Sequence, residues 1–144
     1  FVEITDILKA YFKKKYISFI NPEYIKFVED KDGKLVAFAI VMPSFSEALQ
    51  KANGKLFPFG LFHLLNARKN SKDVAFYLIG VHPDFQNKGV HALIFKEYFT
   101  TFTKKGIQNC IRTPELADNI SIQLLWKNFD PKIICRRKTF RKDL

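Results

Sequence analysis

Residues 74–104 read VAFYLIGVHPDFQNKGVHALIFKEYFTTFTK, and the order of apolar run, polar turn and periodic stretch within them decides the fold. Val74 to Val81 is almost unbroken in its apolar character and rich in β-branched and aromatic residues, which predicts a strand covered on both faces. His82-Pro83-Asp84 stops it, because proline removes a ladder donor and biases the preceding residue toward extended backbone. Gln86-Asn87-Lys88-Gly89 then turns the chain into a helix, on which Val90, Leu93, Ile94, Tyr98 and Phe102 recur at helical spacing. Lys105-Gly106 ends that helix with a small residue.

A glycine-bearing loop at a helix start presents free backbone N–H groups in a concave nest, at the positive end of the helix dipole. That combination suits a phosphate. Lys88 adds a full charge, and Gln86 can donate from its side-chain amide. The plain alternative is a strand-to-helix turn that happens to carry one glycine. Neither the three-glycine dinucleotide fingerprint nor the Gly-Lys-Ser/Thr ending of the nucleotide P-loop is present.

The same segment resembles the central motif of the GNAT superfamily of acyl-CoA N-acyltransferases. In that family the loop runs Gln/Arg-x-x-Gly-x-Gly/Ala after a strand that ends in a Val-x-Pro-like turn. Gln86 and Gly89 match it, while His91 stands where the family has a second small residue. A later helix of the family often reads Asn-x-x-Ala-x-x-x-Tyr, and Asn119, Ile122 and Trp126 fall at those intervals. The resemblance implies an α/β (α+β) fold with a mixed, mostly antiparallel central sheet flanked by helices. It implies acetyl-CoA or another acyl-CoA as co-substrate, held by Ile79, Gly80, Val81, Gln86, Asn87, Lys88, Gly89, Val90, His91, Ala92, Asn119 and Trp126, and an amine as acceptor. It also resembles the C-terminal part of longer bacterial proteins, which suits a chain that starts without Met.

Other features bound the reading without deciding it. The 144 residues, 47% hydrophobic and with 16 phenylalanines, suit one domain over residues 1–144 with a real core. The net charge of +10 is compatible with nucleic acid, anionic lipid or an anionic small ligand such as coenzyme A. Cys110 and Cys135 lack metal-ligand spacing and read as reduced thiols of a cytoplasmic protein; no metal is expected. No apolar window is long enough to span a membrane as a helix.

Residues 5–19 predict a first helix, capped by Thr5 or Asp6, with Ile7, Leu8, Tyr11, Phe12 and Phe19 on one face. Tyr24 to Glu29 and Leu35 to Met42 predict two strands joined by a two-residue Asp32-Gly33 turn. Ser46 to Ala52 can form a short helix ended by Asn53-Gly54. For the apolar run at 56–65, three placements compete: the domain's own core, an interface with a missing N-terminal domain or another subunit, or an apolar site or lipid surface. Ile107 to Arg112 predicts a strand, 120–128 a helix with Ile120, Leu124 and Leu125 in one stripe, and Lys132 to Thr139 a final strand.

Thioester aminolysis asks mainly for positioning and for polarisation of the carbonyl, with a base only if the amine arrives protonated. Glu115, His91 and His82 are the weak candidates for a catalytic group, each with a plain capping or surface role as its alternative. Trp126 has an indole N–H but no proton to give up near neutral pH, so the family's usual general acid is missing there. The rival readings are a non-catalytic GNAT-fold domain that binds CoA weakly or serves as an interaction module, and, last, a nucleic-acid module.

Overall fold

The computed structural model describes residues 5–15 and 20–142, and the chain gathers into two compact units, Phe1–Thr113 and Pro114–Leu144. In the first unit a hairpin of β1 (Ile25–Glu29) and β2 (Leu35–Pro43) opens the sheet. Residues 30–34 connect them, the Asp30 N–H donating to the Lys34 carbonyl at 3.0 Å around a three-residue tip at 31–33, not the two-residue turn expected from Asp32-Gly33. The reason lies in Asp30: its carboxylate accepts the N–H groups of Asp32 and Lys34, both at 2.9 Å, while Gly33 takes the left-handed conformation at φ 77°.

Strand β3 (Asp73–Val81) pairs antiparallel with β2, and β4 (Asn109–Arg112) adds parallel to β3, so the sheet order is β1-β2-β3-β4. Ala37, Ala39 and Ile40 face Val81, Ile79 and Leu78, but the next residue, Val41, faces Phe76. Tyr77 is therefore the extra residue of a β-bulge.

Helix α4 (Val90–Lys105) covers the sheet face that carries the buried Ala37, Ala39 and Val41. Ile94 and Tyr98 are its fully buried residues, each contributing about 1.5–3 kcal/mol of burial energy. The Phe76 ring meets Phe95, Tyr98 and Phe102 at centroid distances of 5.9, 5.2 and 6.4 Å. The Tyr98 hydroxyl lies 2.8 and 2.9 Å from the carbonyl oxygens of Tyr24 and Ala39 and donates its single proton between them. Burial pushes the Tyr98 phenol well above its ordinary range. Gly106 ends α4 in the left-handed region at φ 62°, as the sequence predicts.

The expected two-sided burial of β3 does not hold. Val74 and Phe76 are buried, whereas Tyr77 and Leu78 are 47% and 58% exposed, because α4 covers only one face.

Between β2 and β3 lie α2 (Ser46–Lys51) and α3 (Gly60–Asn70). Asn53 and Gly54, at φ 47° and 71°, end α2 as expected. Gly60 is buried, and a side chain there would run into the Lys55 carbonyl oxygen and stand 3.2 Å from the Ala52 Cβ. Only glycine lets α3 start against the end of α2. The run at 56–65 does not enter the core: Phe57 is 80% exposed, and Phe59 and Phe62 are each 69% exposed. Helix packing is met instead by Gly60, with His63, Leu64 and Ala67 partly covered.

Helix α1 (Asp6–Lys15) is capped by Thr5, whose hydroxyl accepts the Leu8 N–H at 3.4 Å. Its expected apolar face is not buried at Ile7 or Tyr11, and Phe19 and the Phe12 side chain lie outside the described residues.

In the second unit α5 (Ile120–Trp126) runs into one 3-10 turn at Lys127–Phe129. Trp126 is its buried residue, while Ile120 and Leu124 of the expected stripe are exposed. The final strand expected at 132–139 is absent: residues 131–142 have no regular structure and are exposed. No ladder partner exists for this stretch among the described residues.

Candidate functional site

At the carboxyl end of β3 the sheet forks. The β3–β4 ladder begins at Asp73↔Asn109, where the Asn109 side-chain amide donates to the Asp73 carboxylate at 2.8 Å, and it ends at Phe76↔Arg112. Thr113 marks the split: its N–H donates to the Phe76 carbonyl at 3.2 Å, and its hydroxyl to the Tyr77 carbonyl at 3.5 Å. From there on β3 pairs only with β2, and among the described residues no strand occupies its other edge at 77–81. An edge strand with one unpaired side can receive an extended, amide-bearing chain. Sequence reasoning did not identify Thr113, and the only signal for it is Pro114 directly after, which bars further strand pairing.

Gly80 lies within this edge segment. Phe38 faces it across the ladder, and a Cβ on Gly80 would stand 2.8 Å from the Phe38 ring. Any larger residue here would have to displace that ring. Ile79 and Val81, its neighbours, are partly covered.

The loop after β3 is built to free its amides. A 3-10 turn at Pro83–Phe85 is capped by His82, whose Nδ1 accepts the Asp84 N–H at 3.3 Å. The Gln86 side-chain amide donates back to the Val81 carbonyl at 3.3 Å and so ties the loop to the strand end. Asn87 and Gly89 are left-handed, at φ 59° and 74°, with Lys88 between them, and α4 begins at Val90. Among the described residues the N–H groups of 87–91 meet no protein acceptor, the first donor of the helix being Ala92 to the Gly89 carbonyl at 2.9 Å.

The surroundings favour an anion. No carboxylate stands in the first turn of α4, whose dipole end is positive. A Cβ on Gly89 would meet nothing within 4 Å, so the space above the loop is open. Lys88 holds its ammonium 5.4 Å from the Phe85 ring centroid, beside the loop. His91 turns its ring to Phe95, 6.3 Å between centroids, in a helical i, i+4 pairing. Ala92, next along the helix, is small and exposed.

The three catalytic candidates are each engaged. His82 uses its Nδ1 as a cap for the Asp84 N–H and stands 3.7 Å from the Asp84 carboxylate. His91 packs on Phe95. In the second unit the Glu115 carboxylate accepts the Trp126 indole N–H at 2.9 Å, and Asn119 caps α5 by accepting the Ile122 N–H at 3.3 Å. Among the described residues no cluster of His, Cys, Asp or Glu could hold a metal ion, and no helix is long and apolar enough to cross a membrane.

A mostly antiparallel sheet that opens at a bulged strand, followed by a free-amide loop and a long helix, is the GNAT fold, and this chain has it. Several solved N-acetyltransferases share it. The aminoglycoside N-acetyltransferase AAC(6')-Iy, in complex with the bisubstrate analog CoA-S-monomethyl-acetylneamine, matches 97% of this chain and 82% of its own, at a TM-score of 0.55 and 15% identity. Glucosamine-6-phosphate N-acetyltransferase from Arabidopsis thaliana matches over 98% and 82%, at 0.55 and 12% identity. AAC(6')-Ih from Acinetobacter baumannii matches over 99% and 83%, at 0.55 and 11% identity. No protein-family model and no curated protein sequence matches the chain.

Proposed function

We propose that the chain is an acyl-CoA-dependent N-acyltransferase, moving an acetyl or other acyl group to an amine. The observation that carries this reading is the row of unpartnered N–H groups at 87–91, open above Gly89, placed where the far half of β3 has a bare edge. A diphosphate fits the first feature and a pantetheine amide chain the second. The N-acetyltransferases that share the fold add support, among them one solved with a CoA-derived analog.

On this reading residues 87–91, with the Lys88 charge, bind the diphosphate of the donor. Ile79, Gly80 and Val81 line its arm, and a main-chain N–H near Gly80 or Val81 polarises the thioester carbonyl. Acyl-CoA itself supplies an activated carbonyl, so the protein's contribution is to orient donor and amine and to exclude water.

A second reading, a GNAT-fold domain without efficient chemistry, is favoured by one observation: at the interval where the family has its acid stands Trp126, whose indole N–H only donates a hydrogen bond to Glu115. One measurement tests the site and another separates the readings. CoA should raise the melting temperature on either of them. Free thiol should be released from acetyl-CoA or longer acyl-CoAs in the presence of an amine library only if the domain is catalytic. Absence of any thermal shift by CoA refutes the binding site itself.

A further inference from the structure

The segment joining α2 to α3 forms an exposed apolar knob with a one-signed charge. Leu56, Phe57 and Phe59 on the loop are 56%, 80% and 69% exposed, and Leu61, Phe62 and Leu65 on the first turns of α3 are 45%, 69% and 51% exposed. At 100° per residue, Leu61, Leu65 and Phe62 occupy one arc of the helix, and Arg68 and Lys69 continue the same arc toward its carboxyl end. Lys55 precedes the loop, and no Asp or Glu occurs anywhere between Ala48 and Lys72. A soluble surface rarely displays so many large apolar side chains together without a partner.

We propose that this knob docks onto an anionic phospholipid surface. Phe62 and Arg68 are six positions apart, which is roughly 9 Å along a helix axis. That matches the depth, about 5–10 Å, to which interfacial apolar side chains enter below the headgroups. The phenylalanines of the loop and first turn therefore reach the acyl boundary while Arg68 and Lys69 stay at phosphate level. Uniformly positive charge along 48–72 complements a uniformly negative surface, with no carboxylate to be repelled. The occupant is the bilayer, and the proposal does not depend on the acyl-transfer reading, since the knob shares no residue with the loop at 87–91.

Sedimentation of the full chain with vesicles tests it. Vesicles of phosphatidylcholine alone should bind weakly, and vesicles of equal parts phosphatidylcholine and phosphatidylglycerol at least roughly tenfold more tightly, with the excess lost at high salt. Phe57→Ser/Phe59→Ser/Phe62→Ser and Lys55→Glu/Lys69→Glu should each lower partitioning to the mixed vesicles by at least roughly tenfold. All five side chains are exposed, so both variants should keep the parent melting curve. If the triple variant fails to fold, Phe59→Trp gives a second readout: its emission, after subtraction of the Trp126 signal, should shift to the blue on mixed vesicles. Equal or absent binding to the two vesicle types overturns the proposal, as does a folded triple variant that binds like the parent. Self-association that the triple variant abolishes, with no vesicle binding, assigns the face to a protein partner instead and overturns it too.

Discussion

Replacing Gly89 by Asp or by Asn tests the anion loop with little interference from folding. The left-handed backbone at φ 74° disfavours a side chain by about 1–2 kcal/mol, least for Asn and Asp, whose short polar groups tolerate it. No steric cost adds to this, because a Cβ at 89 meets nothing within 4 Å. For a chain of this length 1 kcal/mol moves the melting point by about 3 °C, so both variants should melt within about 6 °C of the parent. Ligand binding should separate them. An Asp carboxylate about 5 Å from a bound diphosphate, at an effective dielectric constant of about 20, opposes each phosphate charge by about 3 kcal/mol, a loss of more than roughly a hundredfold in affinity. CoA at about a hundred times the parent's Kd stabilises the parent by about 2.7 kcal/mol, or about 8 °C, but the Asp variant by less than about 0.5 kcal/mol. Differential scanning fluorimetry with and without CoA reads all of this. Should the Asp variant gain as much from CoA as the Asn variant, the diphosphate does not lie over residue 89 and the site is wrong.

Other outcomes follow from the packing. Tyr98→Phe leaves the carbonyls of Tyr24 and Ala39 without their shared proton and should destabilise the first unit by about 1–3 kcal/mol in urea denaturation. Since the folded state holds the Tyr98 phenol above its ordinary value of 10.0, that part of the stability is whole below about pH 10 and is lost as pH rises beyond it. Alkaline denaturation of the parent should therefore be steeper than that of Tyr98→Phe. Gly60→Ala pushes a methyl into the Lys55 carbonyl and should cost on the order of 3 kcal/mol or more, visible as a lowered melting point. Gly80→Ala brings a methyl to 2.8 Å from the movable Phe38 ring, so a smaller loss of about 1–2 kcal/mol is expected, with CoA binding weakened in addition.

Much of this molecule can be read from residue pattern, and the failures have identifiable physics. Strand, loop and helix over 73–105 follow from one apolar run, one proline and one period change, and the boundaries agree to within a residue or two. The parts that misled were those where local pattern cannot see a neighbour. Asp32-Gly33 has the signature of a tight turn, yet the Asp30 carboxylate captures two amides and lengthens it. For Phe57, Phe59 and Phe62 the pattern left core, interface and apolar site open, because apolar composition says nothing about which side is covered; in the structure they are exposed. The stretch at 132–139 carries a short apolar run but finds no strand to pair with among the described residues. At the candidate site, the left-handed Asn87 and Gly89 are legible in residue type. The fork marked by Thr113 is not, because it depends on where two distant strands part.

The extra residue at Tyr77 acts as a phase joint. Phe76 and Ile79 are three positions apart, an odd spacing that a regular strand would send to opposite sides, yet they face Val41 and Ala39 on the same side of β2. Deleting Tyr77 would leave Phe76 and Leu78 as ordinary alternating neighbours and every remaining side chain on its present side, whereas keeping it puts a local bend between the packed half of the strand and its open rim. The joint also partitions tolerance. Changes at 74–76 register in the aromatic stack with α4, whereas changes at 78–81 act on the open rim and leave the packed half fixed.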